Sequence, residues 1–119
     1  MAENVIKTKS FSFALRIVKL YQFLSSEKKE FVLSKQLLRS GTSIGALVRE
    51  SEHAESKPDF IHKLAIAQKE ANESDYWLLL LFQSDYLNQF QYQSLNSDIV
   101  EINKILASII ISTKQSLKK

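Results

Sequence analysis

Phe60-Ile61-His62-Lys63-Leu64-Ala65-Ile66-Ala67-Gln68-Lys69-Glu70-Ala71-Asn72-Glu73-Ser74-Asp75-Tyr76-Trp77-Leu78-Leu79-Leu80-Leu81 is a helical repeat without a break. Phe60, Leu64, Ala67, Ala71, Ser74, Leu78 and Leu81 recur at alternating spacings of four and three. That spacing places small or apolar side chains on one stripe of an α-helix. Just upstream, Ser56-Lys57-Pro58-Asp59 is a start signal. Ser56 can cap, Pro58 is tolerated in a first turn, and Asp59 favours the positive end of the helix dipole. The helix is predicted over about Asp59 to Ser84.

Three more helices flank it. Toward the C-terminus, Leu95, Ile99, Ile102, Leu106, Ile109 and Thr113 repeat the same spacing and predict a helix from about Ser94 to Leu117. Toward the N-terminus, Leu37, Gly41, Ile44 and Val48 predict a helix that starts between Glu30 and Lys35, with Ser34 as N-cap, and runs to about Ala54. Lys57 before Pro58 disfavours helical geometry and ends it. Ser40, Gly41, Ser43, Gly45 and Ala46 make this helix thin. The first helix, about Ser10 to Leu24, carries two rows side by side: Phe11, Ala14, Val18 and Tyr21, and Phe13, Ile17, Leu20 and Leu24. The resulting expectation is all-α: an N-terminal tail over residues 1–9 and an antiparallel up-down-up-down four-helix bundle over residues 10–117. Short connections favour antiparallel neighbours, and the a/d spacing favours crossing angles of about 20°.

Composition agrees with one helical domain of 119 residues. Two Gly and one Pro are too few for an all-β chain. Without Cys there is neither a disulfide framework nor a thiolate metal site, which fits a cytoplasmic protein. No apolar run approaches the roughly 18 residues that a membrane span needs, and no secretory signal is visible.

The net charge of +3 is unevenly spread. Residues 1–49 hold nine Lys/Arg and three Asp/Glu, a balance of +6; residues 50–119 hold seven and ten, a balance of −3. Arg16 and Lys19 on the first helix and Lys35 and Arg39 on the second are therefore the candidate phosphate contacts for RNA or DNA. The competing reading makes them solvated charges, with Arg39 or Arg49 pairing with Glu50, Glu70 or Glu73.

No catalytic constellation emerges, and no cofactor or metal is expected. Glu50-Ser51-Glu52-His53 and Asp59-Phe60-Ile61-His62 superficially match the carboxylate–histidine motifs of di-metal bundles. Both flank Pro58, at one end of the bundle, and the acidic residues of the fourth helix, Asp98 and Glu101, fall at the other. The two His are expected on the solvated surface.

Helices two and three also carry a family resemblance. Gln36-Leu37-Leu38-Arg39-Ser40, Ser43-Ile44-Gly45-Ala46 and Val48-Arg49-Glu50 are followed by Ser56 to Leu64 and by Ile66 to Leu78. The most specific stretch is Lys69-Glu70-Ala71-Asn72-Glu73-Ser74-Asp75-Tyr76-Trp77-Leu78. The chain resembles the bacterial four-helix-bundle family of proteins encoded in intervening sequences of large-subunit ribosomal RNA genes, and the accessory protein of diversity-generating retroelements. Leu47 departs from the Asn expected of the family there. The resemblance implies an up-down-up-down bundle that assembles into a ring, commonly a homopentamer, with no enzymatic activity. Its retroelement relatives work with a reverse transcriptase and bind nucleic acid.

Self-association is also expected from the residues themselves. Trp77, Leu78, Leu79, Leu80, Leu81 and Phe82 are six apolar residues in a row, and Ile109-Ile110-Ile111 repeats the pattern. At roughly 100° per residue such runs point all around the helix, whereas a lone bundle needs one apolar stripe. Trp77, Leu79, Leu80, Phe82 and Ile110 are the candidate subunit contacts, with Gly41 and Gly45 as a second close-packing surface. Two functional readings result: a homo-oligomeric, nucleic-acid-binding accessory module, or a scaffold whose partner is another protein.

Overall fold

The computed structural model describes residues 2–118 and contains four helices: α1 (Ala2–Ser26), α2 (Leu33–Ser51), α3 (Lys57–Gln83) and α4 (Gln89–Leu117). Each packs on its neighbours in the chain, and α4 closes back on α1. No diagonal pair meets among the described residues, so the arrangement is an antiparallel up-down-up-down bundle, 52 Å long and about 20 Å across.

The core is built from the stripes read in the sequence. Leu64, Ala67, Ala71, Leu78 and Leu81 of α3 are buried, as are Leu95, Ile99, Ile102, Leu106 and Ile109 of α4. From α2 come Leu37, Ile44 and Val48. Ser74, a polar member of the α3 stripe, is buried as well; its hydroxyl lies 2.8 Å from that of Ser40 on α2 and 2.8 Å from the Glu70 carbonyl. Hydrogen bonding removes the cost of burying the pair.

Two boundaries differ from expectation for identifiable reasons. Residues 2–9 are not a tail: α1 begins at Ala2, and Ile6 and Ser10 continue the buried line of Phe13, Ile17 and Leu24. Phe11 faces outward, so the second of the two α1 rows is the core row. Likewise α4 starts at Gln89, ahead of Ser94. Asn88 and Gln91 form a capping box, the Asn88 side chain accepting from Gln91 N at 2.7 Å and the Gln91 side chain accepting from Asn88 N at 2.9 Å. At the other end of that turn, Asp85 takes a left-handed φ of 69°. Tyr86 N donates to Leu81 O at 2.8 Å and Asp85 N to Phe82 O at 3.1 Å, closing α3 with a Schellman turn.

The start of α2 is capped by a residue outside it. Ser34 is not the N-cap; it lies inside α2, where its hydroxyl donates to Glu30 O at 2.8 Å. The buried Glu30 carboxylate accepts the backbone N–H groups of Val32, Leu33 and Ser34 at 3.1, 3.0 and 2.7 Å. Burial works to raise the Glu30 pKa, but the hydrogen bonds from Leu33, Ser34 and Val32 outweigh it and hold the carboxyl below the ordinary glutamate value. The sign follows from linkage: the stabilisation is complete above the unfolded-state pKa and is lost as pH falls through the lowered folded value. Glu30→Gln is expected to cost about 1 kcal/mol at neutral pH. In urea titrations its deficit relative to the wild type should shrink below the ordinary glutamate pKa; a deficit independent of pH would show that the carboxylate charge is not what caps α2.

Candidate nucleic-acid and subunit interfaces

The four candidate phosphate contacts divide into two kinds. Arg16 reaches across to α4, where its guanidinium donates to Asp98 Oδ2 at 2.6 Å and to Ser94 Oγ at 2.9 Å. Arg39 reaches α3 and donates to Glu70 Oε1 at 3.1 Å and to Glu73 Oε1. Both guanidinium groups are therefore held by carboxylates of neighbouring helices. Lys19 and Lys35 are exposed and have no carboxylate within 4.0 Å among the described residues.

These pairs reveal what the uneven charge distribution does. Lys7 meets Glu52 and Lys9 meets Glu101, each at 3.0 Å. With Arg16 and Arg39, four cations of residues 1–49 are paired with carboxylates of residues 50–119. Much of the +6 excess is thus internal stitching between helices, through exposed pairs each worth about 0–1 kcal/mol. Among the described residues, the cations of positions 1–49 left without such a partner are Lys19, Lys28, Lys29, Lys35 and Arg49, the last resting over the Phe11 ring at 5.6 Å.

Four of these five sit near one end. Lys28 and Lys29 lie in the turn between α1 and α2, and Lys35 is in the first turn of α2. Lys19, seven residues before Ser26, is about 10 Å down α1 at 1.5 Å per residue. Lys28 and Lys29 escape a reading that seeks cations on helix faces. Their signal is the run Glu27-Lys28-Lys29-Glu30, in which Glu30 turns inward to cap α2 and the lysines stay outside.

The candidate subunit contacts also separate. Ile110 is only 8% exposed and belongs to the core, because Ile109 and Ile110 straddle the inward line and Ile111 takes the outward position. Phe82 stacks on Tyr92 of α4, with centroids 5.0 Å apart and planes 9° from parallel. Burial and the nearby Asp75 carboxylate raise the Tyr92 phenol pKa. Trp77 is half-buried and donates to Glu73 Oε1 at 3.2 Å, and Leu80 is half-buried too. Of the five, Leu79 is the exposed one, at 40%. Among the described residues the large apolar side chains exposed on α3 and α4 are Tyr76, Leu79, Phe90, Val100, Ile111 and Leu117, and those on α1 are Val5, Phe11, Leu15 and Phe23, with Phe11 and Leu15 one turn apart. Between α3 and α4 runs an open groove of about 500 Å³ lined by Gln68, Asn72, Val100, Asn103, Lys104 and Ala107. Asn103 Nδ2 donates to Asn72 there at 3.1 Å, and Asn103 Oδ1 has no hydrogen-bond partner.

Gly41 and Gly45 serve the inside of the bundle. A Cβ on Gly41 would lie 2.9 Å from Ile17 Cγ1, and one on Gly45 would lie 3.4 Å from Ser10 O. Leu47, at the position of the family departure, is half-buried against the core. His53 and His62 are both exposed, and among the described residues no three His, Asp or Glu side chains are grouped to hold a metal ion. No helix among those residues is long and apolar enough to cross a membrane.

The architecture has a solved counterpart. A crystal structure of a protein of unknown function from the S23 ribosomal protein family, from Bacteroides thetaiotaomicron VPI-5482, is 62% identical and superposes with a TM-score of 0.91. The match covers 92% of this chain and 98% of that one. No curated protein matches. The family model for the 23S rRNA-intervening sequence protein matches residues 2–108, nearly the whole bundle, and the chain belongs to that family.

Proposed function

We propose that the protein is a non-enzymatic, homo-oligomeric accessory module of the cytoplasm that holds RNA or DNA at the α1–α2 end of its bundle. The observation that carries this reading is the segregation of charge. Among the described residues, Lys19, Lys28, Lys29 and Lys35 have no carboxylate partner, while the cations elsewhere on α1 and α2 are largely paired. An unneutralised basic end attracts phosphate without reading sequence. Filter-binding titrations against salt test it. Log affinity should fall linearly with log salt. Lys28→Glu with Lys35→Glu should weaken binding and flatten the slope by about 1 for each phosphate no longer neutralised. Arg39→Gln should change neither by much, because Arg39 is already committed to α3. No retention of nucleic acid at about 50 mM salt, where phosphate contacts are strong, would overturn the reading.

Self-association is the second part of the proposal. The exposed Tyr76, Leu79, Val100 and Ile111 on one side and Phe11 and Leu15 on another supply two unlike apolar faces. Unlike faces meet head to tail, and such contacts close into a ring when the rotation between neighbours divides a full turn; the family resemblance favours a pentamer. Light scattering should report a mass several times that of one chain, and Leu79→Glu should lower it. A single-chain mass that does not change with dilution would remove the oligomer, and a stable dimer or tetramer would remove the pentamer. The same exposed faces favour the alternative of a protein scaffold, which predicts salt-insensitive partner binding and no retention of nucleic acid.

A further inference from the structure

We infer that the α1–α2 end selects single-stranded over duplex nucleic acid, stacking bases on Phe31 and Phe90 between its lysines. This rests on the nucleic-acid reading above and specifies its ligand. Phe31, in the turn between α1 and α2, is 53% exposed, and Phe90, in the first turn of α4 at the same end, is 79% exposed. Neither ring is needed by the core, and neither is engaged by another ring among the described residues. A third aromatic has a different job. Phe23 carries the Lys28 ammonium over its face at 5.8 Å, which steadies that charge at the mouth of a groove of about 410 Å³. The groove runs between the end of α1 and the α3–α4 turn, lined by Phe23, Lys28, Tyr86, Asn88, Gln91 and Asp85.

The pattern decides between occupants. Phe31 and Phe90 lie on different elements, with Lys28, Lys29 and Lys35 within four residues of Phe31 in the chain and exposed Val32 beside it, so the rings are not anchors spaced along one helix-long furrow. A partner helix needs a furrow for its i, i+3, i+4 anchors. A single strand offers alternating phosphates and flat bases, which lysines and isolated rings match; a duplex keeps its bases stacked internally and out of reach. Two carboxylates work against the phosphates, Asp85 in the groove and Glu27 in the turn, while the third, Glu30, is spent on the N–H groups of α2.

Fluorescence anisotropy with labelled oligo(U), oligo(dT) and a duplex of equal length tests the assignment on the full chain. Both single strands should bind about tenfold or more tightly than the duplex. Phe31→Leu and Phe90→Leu, which keep apolar bulk but lose the flat ring, should each weaken single-strand binding about tenfold and leave the salt slope unchanged. Phe31→Tyr should retain binding. Asp85→Asn should tighten it. Equal affinity for strand and duplex, with the leucine variants binding like wild type, would overturn the stacking assignment and leave the nucleic-acid reading standing. Failure of every probe to bind would overturn both. If Phe31→Leu or Phe90→Leu instead lowers the mass seen by light scattering, the rings are subunit contacts and the assignment falls.

Discussion

Truncating Leu106 or Leu78 to alanine should destabilise the bundle by about 2–5 kcal/mol each. Both side chains are completely buried, on facing helices α4 and α3, and both belong to the inward stripes of those helices, in which the one polar member beside Leu78, Ser74, is hydrogen-bonded. Replacing the isobutyl group by methyl forfeits the transfer free energy of the three carbons lost and leaves a cavity that four closely packed helices relax into only partly. A domain of this size has a total stability of about 5–15 kcal/mol, so either change consumes a large share of it. Urea unfolding followed by circular dichroism is the measurement, with the midpoint shifting at unchanged m-value. A loss below about 1 kcal/mol at both positions would mean that the centre is loosely packed and that the burial of these two leucines contributes little.

Adding bulk at Gly41 should do comparable damage by the opposite route. The Cβ of any other residue would come within 2.9 Å of Ile17 Cγ1, 3.0 Å of Cγ2 and 3.3 Å of Cβ. Ile17 is fully buried, and a β-branched side chain in a helix has essentially one χ1 rotamer, so it has nowhere to turn. Gly41→Leu should therefore force α1 and α2 apart at a cost of about 3 kcal/mol. Gly41→Ala gains about 1 kcal/mol of helix propensity but meets the same three atoms, and a net loss of about 1 kcal/mol is expected. Gly45 is the control. Its added Cβ would make ordinary contact with Ser10 O at 3.4 Å, so Gly45→Ala should be neutral or stabilising by up to about 1 kcal/mol. If Gly41→Ala proves more stable than wild type, the α1–α2 contact yields more easily than this geometry requires.

The same two glycines explain why part of the fold is harder to read than the rest. Helices α2, α3 and α4 announce their inner faces through Leu, Ile, Val and Ala at regular spacing, and those residues are buried, with serines and glycines between them on α2 and Ser74 on α3. On α1 the inward line passes through Ser10, which faces the bare backbone at Gly45. A serine in that place does not register as apolar, so the two turns before it read as a tail although Ile6 is in the core. The α2 cap is hidden for a related reason: a glutamate between a charged run and a helix looks like another solvated charge, and nothing local shows that its carboxylate turns inward. Charge partners are harder still. Glu70 and Glu73 are among the partners that the sequence leaves open to Arg39 or Arg49, but Glu50, offered with them, pairs with Lys63, and the Arg16–Asp98 pair joins residues 82 positions apart. That pairing depends on the register of α1 against α4, which no single periodicity fixes.

The order of the helices around the bundle bears on how the protein is made. Three of its four seams join helices consecutive in the chain, the kind of short-range topology that folds in milliseconds or less. Synthesis proceeds from the N-terminus at about 5–20 residues per second, far more slowly than such helices dock. Each helix can therefore settle on the one before it as it emerges from the ribosome. The α1–α4 seam must wait until α4 has been made, leaving the apolar side of α1 half covered until then. A nascent chain thus spends its longest exposed interval with Ile6, Phe13 and Ile17 sheltered by α2 alone, and that interval is when a chaperone or a neighbouring nascent copy would find it.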